Sequence, residues 1–116
     1  MNNEETRQAI DRFNDAFARR DVDAVMAAMT EDCVFESTDP APDGVRLEGQ
    51  AAVRGYWERF FGSTPVTVFD TEDYFVGGDR AAIRWRFSWG DGHVRGVDVM
   101  KVRDGKVAEK LSYVKG

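Results

Sequence analysis

Residues 96–107 read GVDVMKVRDGKV, an alternating apolar segment that ends in the turn dipeptide Asp104-Gly105. The alternation is typical of a β-strand, and an Asp-Gly pair between two such segments indicates a hairpin. One carboxylate, Asp98, interrupts the strand. Because successive side chains of a strand point to opposite faces, Asp98 shares a face with Gly96 and Met100.

Asp98 is the unusual residue of this strand. On an inward face, a carboxylate loses its hydration at a large free-energy cost unless hydrogen bonds or an opposite charge compensate. Buried acids are therefore either hydrogen-bonded structural groups or working groups in a cavity, and both alternatives stay open for Asp98. Perturbed carboxyl groups cluster at functional sites, which makes Asp98 the first candidate catalytic residue.

The C-terminal half of the chain predicts an antiparallel meander. Segments rich in Val, Phe and Trp alternate with turns such as Gly77-Gly78-Asp79 and Gly90-Asp91-Gly92, each of which is a hairpin signal. The predicted strands are 66–76, 80–89, 94–103 and 106–114.

The N-terminal half predicts three helices and a short hairpin. Phe13 and Phe17 lie one helical turn apart on an apolar stripe, Asn2 and Glu5 resemble a capping box, and Asp21 can cap a second helix. The predicted helices are 3–19, 22–29 and 50–61, and the predicted short strands are 33–36 and 45–48, on either side of a turn-rich segment.

Helices followed by a meander predict an α+β fold, with a curved antiparallel sheet whose one face is covered by the three N-terminal helices. The chain has 116 residues, of which 42% are hydrophobic, and this is enough to bury a core. We therefore expect one domain over residues 1–116.

Strand parity divides the meander into an inner and an outer face. The inner set is aromatic with isolated polar groups, which indicates a lined pocket rather than a solid core. It comprises Ile83, Trp85, Phe87, Gly96, Asp98, Met100, Lys110, Ser112 and Val114. The outer set mixes charged residues with apolar ones, and such a face predicts partial burial in a two-fold homodimer. The apolar members are Val97, Val99, Leu111 and Tyr113.

Charge and motif content argue against several classes of function. A net charge of −5 does not provide the basic surface of a nucleic-acid binder and disfavours an anionic membrane surface. No apolar run could span a bilayer and residues 1–5 lack the features of a secretory signal, so we expect a cytoplasmic protein. The lone Cys33 and lone His93 provide neither a disulfide nor a zinc cluster, and no nucleotide-binding glycine motif occurs. We therefore expect no metal and no cofactor.

The order of these elements resembles the cone-shaped fold of nuclear transport factor 2-like proteins, which include ketosteroid isomerase and the SnoaL-like polyketide cyclases. Short stretches spread over nearly the whole chain carry the resemblance. They are RDVDAV at 20–25, DCVFE at 32–36, EG at 48–49 leading into AVR at 52–54, DRA at 79–81, VDVM at 97–100 and DGKV at 104–107. The group hosts isomerases, dehydratases, epoxide hydrolases, cyclases and binding modules, so the resemblance implies the fold more narrowly than the activity.

Within this resemblance, Asp98 matches the aspartic acid of ketosteroid isomerase that stays protonated and donates to the developing oxyanion. The tyrosine that partners this acid corresponds to Phe13, which has no hydroxyl. The general-base aspartate corresponds most nearly to Ser37, with Glu36 and Asp39 one and two positions away. A β-bulge would turn Glu36 inward. The two departures argue against steroid double-bond isomerisation.

Lys110 has the inner parity and lies on the strand that pairs with the strand of Asp98. Its ammonium could reach Asp98 across the ladder, where it would favour the ionised carboxylate. Alternatively, Lys110 extends to the mouth of the cone. The candidate catalytic residues are thus Asp98, Lys110, Ser37 and Glu36. The candidate ligand-binding residues are Phe13, Phe17, Phe35, Tyr56, Trp57, Phe60, Ile83, Trp85, Phe87, Met100 and Ser112.

Three functions are compatible with this sequence. The first is a cofactor-independent enzyme that acts on a small apolar or aromatic molecule by acid–base chemistry, as an isomerase, cyclase or hydratase does. The second is a noncatalytic protein that binds such a molecule, and the third is a dimeric protein-interaction module. A filled interior without a cavity would exclude the first two.

Overall fold

The computed structural model describes residues 2–63 and 67–116, and it confirms an α+β fold with N-terminal helices and a curved sheet. In chain order the elements are α1 (Asn3–Ala18), α2 (Val22–Ala27), β1 (Met29–Glu36), β2 (Arg46–Glu48), α3 (Gln50–Ser63), β3 (Thr67–Gly77), β4 (Arg80–Trp89), β5 (Gly92–Arg103) and β6 (Lys106–Val114). The first predicted strand of the meander begins at Val66, which lies outside the described residues. Within these residues, no helix is long and apolar enough to cross a bilayer.

Side-chain caps fix where the first two helices begin. Asn2 Oδ1 accepts a hydrogen bond from the backbone N–H of Glu5 at 2.8 Å, and the Glu5 carboxylate accepts one from the backbone N–H of Asn2 at 3.4 Å. This capping box confirms the predicted start of α1. The Asp21 carboxylate accepts a hydrogen bond from the backbone N–H of Ala24 at 3.1 Å, so α2 begins at Val22 as predicted.

The six strands form one sheet in the order β2-β1-β6-β5-β4-β3. Strands β3 to β6 make the predicted antiparallel meander. Strand β1 pairs antiparallel with β2 and parallel with β6, a pairing that local sequence does not specify. The helix predicted over 22–29 ends at Ala27, and β1 begins at Met29 instead of residue 33. The reason is tertiary: the backbone N–H of Val107 donates to the carbonyl oxygen of Ala28 at 2.8 Å, which continues the ladder to the end of α2.

The core fills the space between the three helices and the inner face of the sheet. Its fully buried side chains include Ile10, Phe13, Val25, Met29, Cys33, Val53, Trp57, Met100, Val102 and Val107. Burial raises the pKa of the Cys33 thiol, so this side chain stays protonated at neutral pH and acts as a small apolar group.

The outer face of the sheet carries one apolar row that crosses four strands. Phe75, Ala82, Val99 and Leu111 are successive register partners from β3 to β6. Phe75 is 61% exposed, and Tyr113, one of the predicted outer residues, is 54% exposed. This row lies opposite the face that the helices cover.

Candidate functional site

A cavity of about 330 Å³ lies between α1, α3 and the inner face of the meander. Half of its lining residues are aromatic, and most of the residues that parity and helical spacing placed inside contribute to the wall. These are Phe13, Phe17, Phe35, Tyr56, Trp57, Phe60, Ile83, Trp85, Phe87, Asp98, Lys110 and Ser112.

The aromatic wall is a continuous set of ring contacts centred on Trp57. The Trp57 ring centroid lies 4.5 Å from that of Phe35, 5.2 Å from that of Phe17 and 5.3 Å from that of Tyr56. Burial raises the pKa of the Tyr56 phenol, so its hydroxyl stays neutral at physiological pH. The wall is therefore suited to a flat apolar molecule.

Asp98 lies in this wall with 7% of its surface exposed, and its polar contacts are with donors. Its Oδ1 accepts hydrogen bonds from Trp85 Nε1 at 3.0 Å and from Ser112 Oγ at 2.7 Å. Its Oδ2 lies 3.1 Å from Lys110 Nζ. All three contacts use Asp98 as an acceptor, whereas the aspartic acid that it matches in ketosteroid isomerase acts as a donor.

Lys110 points into the cavity wall and not to the mouth of the cone. It is 8% exposed, and its Nζ donates to Ser112 Oγ at 3.1 Å as well as pairing with Asp98. Three rings surround the ammonium, with centroids 5.0 Å (Phe35), 5.5 Å (Trp57) and 5.8 Å (Phe17) from Nζ. Cation–π attraction to these faces offsets part of the lost hydration of the ammonium.

Two candidate helpers of Asp98 lie outside the cavity wall. Ser37 is buried, but its Oγ donates to the Asp39 carbonyl oxygen at 2.8 Å and accepts from the backbone N–H of Val45 at 3.0 Å. This serine holds the turn between β1 and β2. The Glu36 carboxylate pairs with Arg46 at 2.9 Å on the other face of β1. The predicted possibility that a β-bulge turns Glu36 inward is therefore wrong.

Met100 is the one candidate ligand-binding residue that does not line the cavity. Its side chain is 1% exposed and belongs to the hydrophobic core. Parity correctly places Met100 on the inner face, but the helices pack directly on the sheet at this level and leave no space. His93 lies near the β4–β5 turn and does not line the cavity either.

Sequence reasoning missed the part of the wall that β3 and the cavity mouth provide. The missed lining residues are Asn14, Ala18, Thr38, Phe69, Asp70, Thr71, Trp89 and Val94. Two of them were predictable from the pairing of β3 with β4, because Phe69 is opposite Phe87 and Thr71 is opposite Trp85. Extending the parity of β4 to its neighbour would have placed both inside.

The described cavity wall contains polar side chains but no group of metal ligands. Among the residues that the structure describes, no three His, Cys, Asp or Glu side chains are grouped so that they could hold a metal ion. The described wall instead offers the Asp98–Lys110 pair with its hydroxyl and indole donors.

Comparison with known proteins places this geometry in a family. The model of the SnoaL-like domain matches residues 10–110. No protein of curated function matches the chain. A solved structure of a nuclear transport factor 2-like protein of unknown function from Mesorhizobium loti is 46% identical, with a TM-score of 0.86, and the match covers 98% of this chain and 93% of that chain.

Two more distant structures share the fold. A candidate ketosteroid isomerase from Kribbella flavida is 21% identical with a TM-score of 0.84, over 98% of this chain and 80% of that chain. A candidate polyketide cyclase from Sinorhizobium meliloti is 22% identical with a TM-score of 0.77, over 90% of this chain and 92% of that chain. The family match over most of the chain and the shared fold together show that this protein belongs to the SnoaL-like domain family of the nuclear transport factor 2-like superfamily.

Proposed function

We propose that this protein is an enzyme that binds a small, largely apolar or aromatic carbonyl compound in the cavity and moves a proton on it without a cofactor. The observation that carries the proposal is the buried Asp98–Lys110 ion pair, 3.1 Å from Nζ to Oδ2, in the wall of a cavity rich in aromatic side chains. A buried ion pair contributes little to stability compared with apolar packing, whereas a carboxylate and an ammonium beside a bound molecule can do chemistry.

The proposed reaction starts at a carbon next to the carbonyl group. Its C–H bond breaks, the proton goes to the Asp98 carboxylate, and the electron pair moves to the carbonyl oxygen to give an enolate. Lys110 uses two of its three N–H groups on Asp98 and Ser112, and the third is the donor that would stabilise the enolate oxygen. If the substrate carries a β,γ double bond, the enolate is a dienolate, and return of the proton from Asp98 to its γ carbon completes an isomerisation. If the substrate carries a second carbonyl group, attack of the enolate carbon on that carbonyl carbon forms a C–C bond, and the resulting alkoxide takes the proton from Asp98, which completes a cyclisation.

A second candidate function is noncatalytic binding of the same kind of molecule. It is supported by the three donors on Asp98, because they occupy carboxylate lone pairs that a general base would offer to a substrate proton. In this case the ion pair only orients the ligand.

Proton exchange on 2-tetralone separates the two functions. This bicyclic ketone has acidic protons beside its carbonyl group, and ¹H NMR in D₂O follows their replacement by deuterium. We expect the wild-type protein to accelerate the exchange, and Asp98→Asn to lower that acceleration by roughly a hundredfold, as for loss of a general base. Val45→Ser, at an exposed site away from the cavity wall, serves as the control that keeps the exchange rate.

Binding is measured in parallel from the fluorescence of the cavity tryptophans. Trp57 and Trp85 line the wall, so a bound ketone changes their emission. Binding of 2-tetralone without accelerated exchange would favour the noncatalytic function. If neither 2-tetralone nor naphthalene binds, both candidate functions are wrong.

A further inference from the structure

Gly96 lies directly opposite Trp85 in the β4–β5 ladder, two residues before Asp98 on the same face. Glycine weakens a strand interior, so its presence there calls for a reason. Gly96 is absent from the described residues with positive φ, so backbone conformation does not require glycine here. The remaining reason is space.

The space above Gly96 is occupied by the Trp85 ring. A Cβ atom built on Gly96 would lie 2.4 Å from Cζ2 and 2.6 Å from Cη2 of Trp85, and 2.2 Å from the carbonyl oxygen of Tyr113. These distances are shorter than any tolerated contact, so alanine would require the indole ring, the Tyr113 backbone or both to move. The indole therefore rests on the bare backbone of Gly96.

We propose that Gly96 is a positioning residue that holds Trp85 as a hydrogen-bond donor to Asp98. Nε1 belongs to the same rigid ring as Cζ2 and Cη2, so the seat on Gly96 also fixes Nε1, which lies 3.0 Å from Asp98 Oδ1. A ring displaced from this seat loses that bond and leaves Asp98 with Ser112 and Lys110 alone. The relevance to catalysis rests on the proposed function, but the geometric claim does not.

The indole N–H signals of the three tryptophans test this claim directly. In ¹H–¹⁵N spectra, Trp85→Phe identifies the Trp85 signal, and Asp98→Asn shows where that signal lies when its charged acceptor is gone. We expect Gly96→Ala to move the Trp85 signal toward its Asp98→Asn position and to speed its exchange with solvent. Gly77→Ala is the matched control, because Gly77 is also a strand glycine but has open space around its missing Cβ.

A double-mutant cycle covers the case in which Gly96→Ala is poorly folded. The Trp85→Phe side chain lacks the benzo ring that the added methyl group would strike, whereas the Tyr113 carbonyl oxygen stays in place. We expect the loss of melting temperature caused by Gly96→Ala to fall by about half or more in the Trp85→Phe background, since residues in contact do not act additively. An unfolded single variant that refolds on adding Trp85→Phe would give the same answer.

Two results would overturn the proposal. One is an unmoved Trp85 indole signal in a folded Gly96→Ala protein. The other is an equal cost of Gly96→Ala in both backgrounds, or unfolding in both, which would assign the glycine to the contact with Tyr113. Neither readout uses a ligand, so a failure of the 2-tetralone experiment leaves this test intact.

Discussion

At the scale of single residues, Asp98 and Lys110 each compensate the buried charge of the other. Both side chains are 10% exposed, so each has given up most of its hydration and depends on the other and on the surrounding donors and rings. Removing one partner of such a pair leaves an uncompensated buried charge.

We therefore expect Lys110→Met to lower the free energy of unfolding by about 3 kcal/mol. The double variant Asp98→Asn/Lys110→Met removes both charges and should recover much of this loss. Urea denaturation monitored by tryptophan fluorescence measures both. Arg84→Met, which breaks the exposed pair with Asp73, is the control and should cost less than about 1 kcal/mol. Additive losses in the double variant would contradict the coupling.

The sequence predicts that Asp98 faces inward but leaves two directions open for Lys110. Strand parity alone puts the carboxylate inside, and the structure has it buried. A lysine at a given parity can extend to solvent or turn along the ladder, because its long stem bridges two residues. Here the ammonium crosses from the level of Met100 to Asp98 and Ser112. The rings of α1, β1 and α3 that surround it become neighbours only in the folded chain.

At the scale of elements, β1 shows what local pattern leaves undetermined. The sequence around Met29 continues the apolar stripe of α2 and by itself predicts helix. The segment from Met29 is a strand because it pairs with β6. The hairpins of the meander, in contrast, were predictable because each carries its own turn residues. The pairing of β1 involves residues far apart in the chain, and no turn marks it.

The β1–β5 ends are linked by a charged hydrogen bond that predicts a pH dependence. Asp32 accepts hydrogen bonds from Arg103 and from Thr30, and the Arg103 bond is the main cause that holds the pKa of Asp32 below its usual value. A carboxyl with a depressed folded-state pKa stabilises the protein above its unfolded-state pKa, and this contribution is lost as pH falls through the folded-state pKa.

We expect the wild-type melting temperature to fall more steeply than that of Asp32→Asn as pH is lowered below about 4. The difference between the two proteins should be small because the pair is exposed, and it should shrink further in high salt. Differential scanning calorimetry across this pH range measures it. A difference that grows as the pH falls would show that the sign is wrong.

At the scale of the whole molecule, the apolar row on the outer face supports a homodimer, which we propose. Phe75 is more than half exposed, and Val99 and Leu111 continue its row across the sheet. Tyr113, which is also more than half exposed, lies beside this row on β6. An exposed apolar row across a sheet is a liability unless a second surface covers it.

We expect light scattering at micromolar concentration to report a dimer in solution. Leu111→Asp, in the middle of the row, should shift the mass toward the monomer, because a carboxylate buried in the interface has no partner. Val45→Asp is the control, since Val45 is exposed and apolar but lies on the turn beside β2. A wild-type monomer would refute the proposed dimer.

The cavity is the whole-molecule feature that sequence predicted only in outline. The alternation of side chains along the strands predicted the inner face of β4 to β6. The helical spacing of apolar residues predicted the aromatic rings of α1 and α3. At Met100 the helices and the sheet meet in a filled core, and at Asp98 they stand apart and leave the cavity. The difference depends on how the sheet curves away from the helices. The curvature is a property of the assembled sheet and of no single segment.

The place of β1 in the sheet has a consequence for biosynthesis. Strand β1 sits between β2 and β6, so the N-terminal hairpin gains its second neighbour only from residues 106–114, which are translated long after it. A nascent chain that stops short of β6 has an open sheet edge and also lacks Lys110 and Ser112, two of the three donors to Asp98. Because β6 supplies both the missing strand and these donors, the sheet and the site are completed together, once β6 has left the ribosome. Pairing between strands so far apart in sequence is also slow to form.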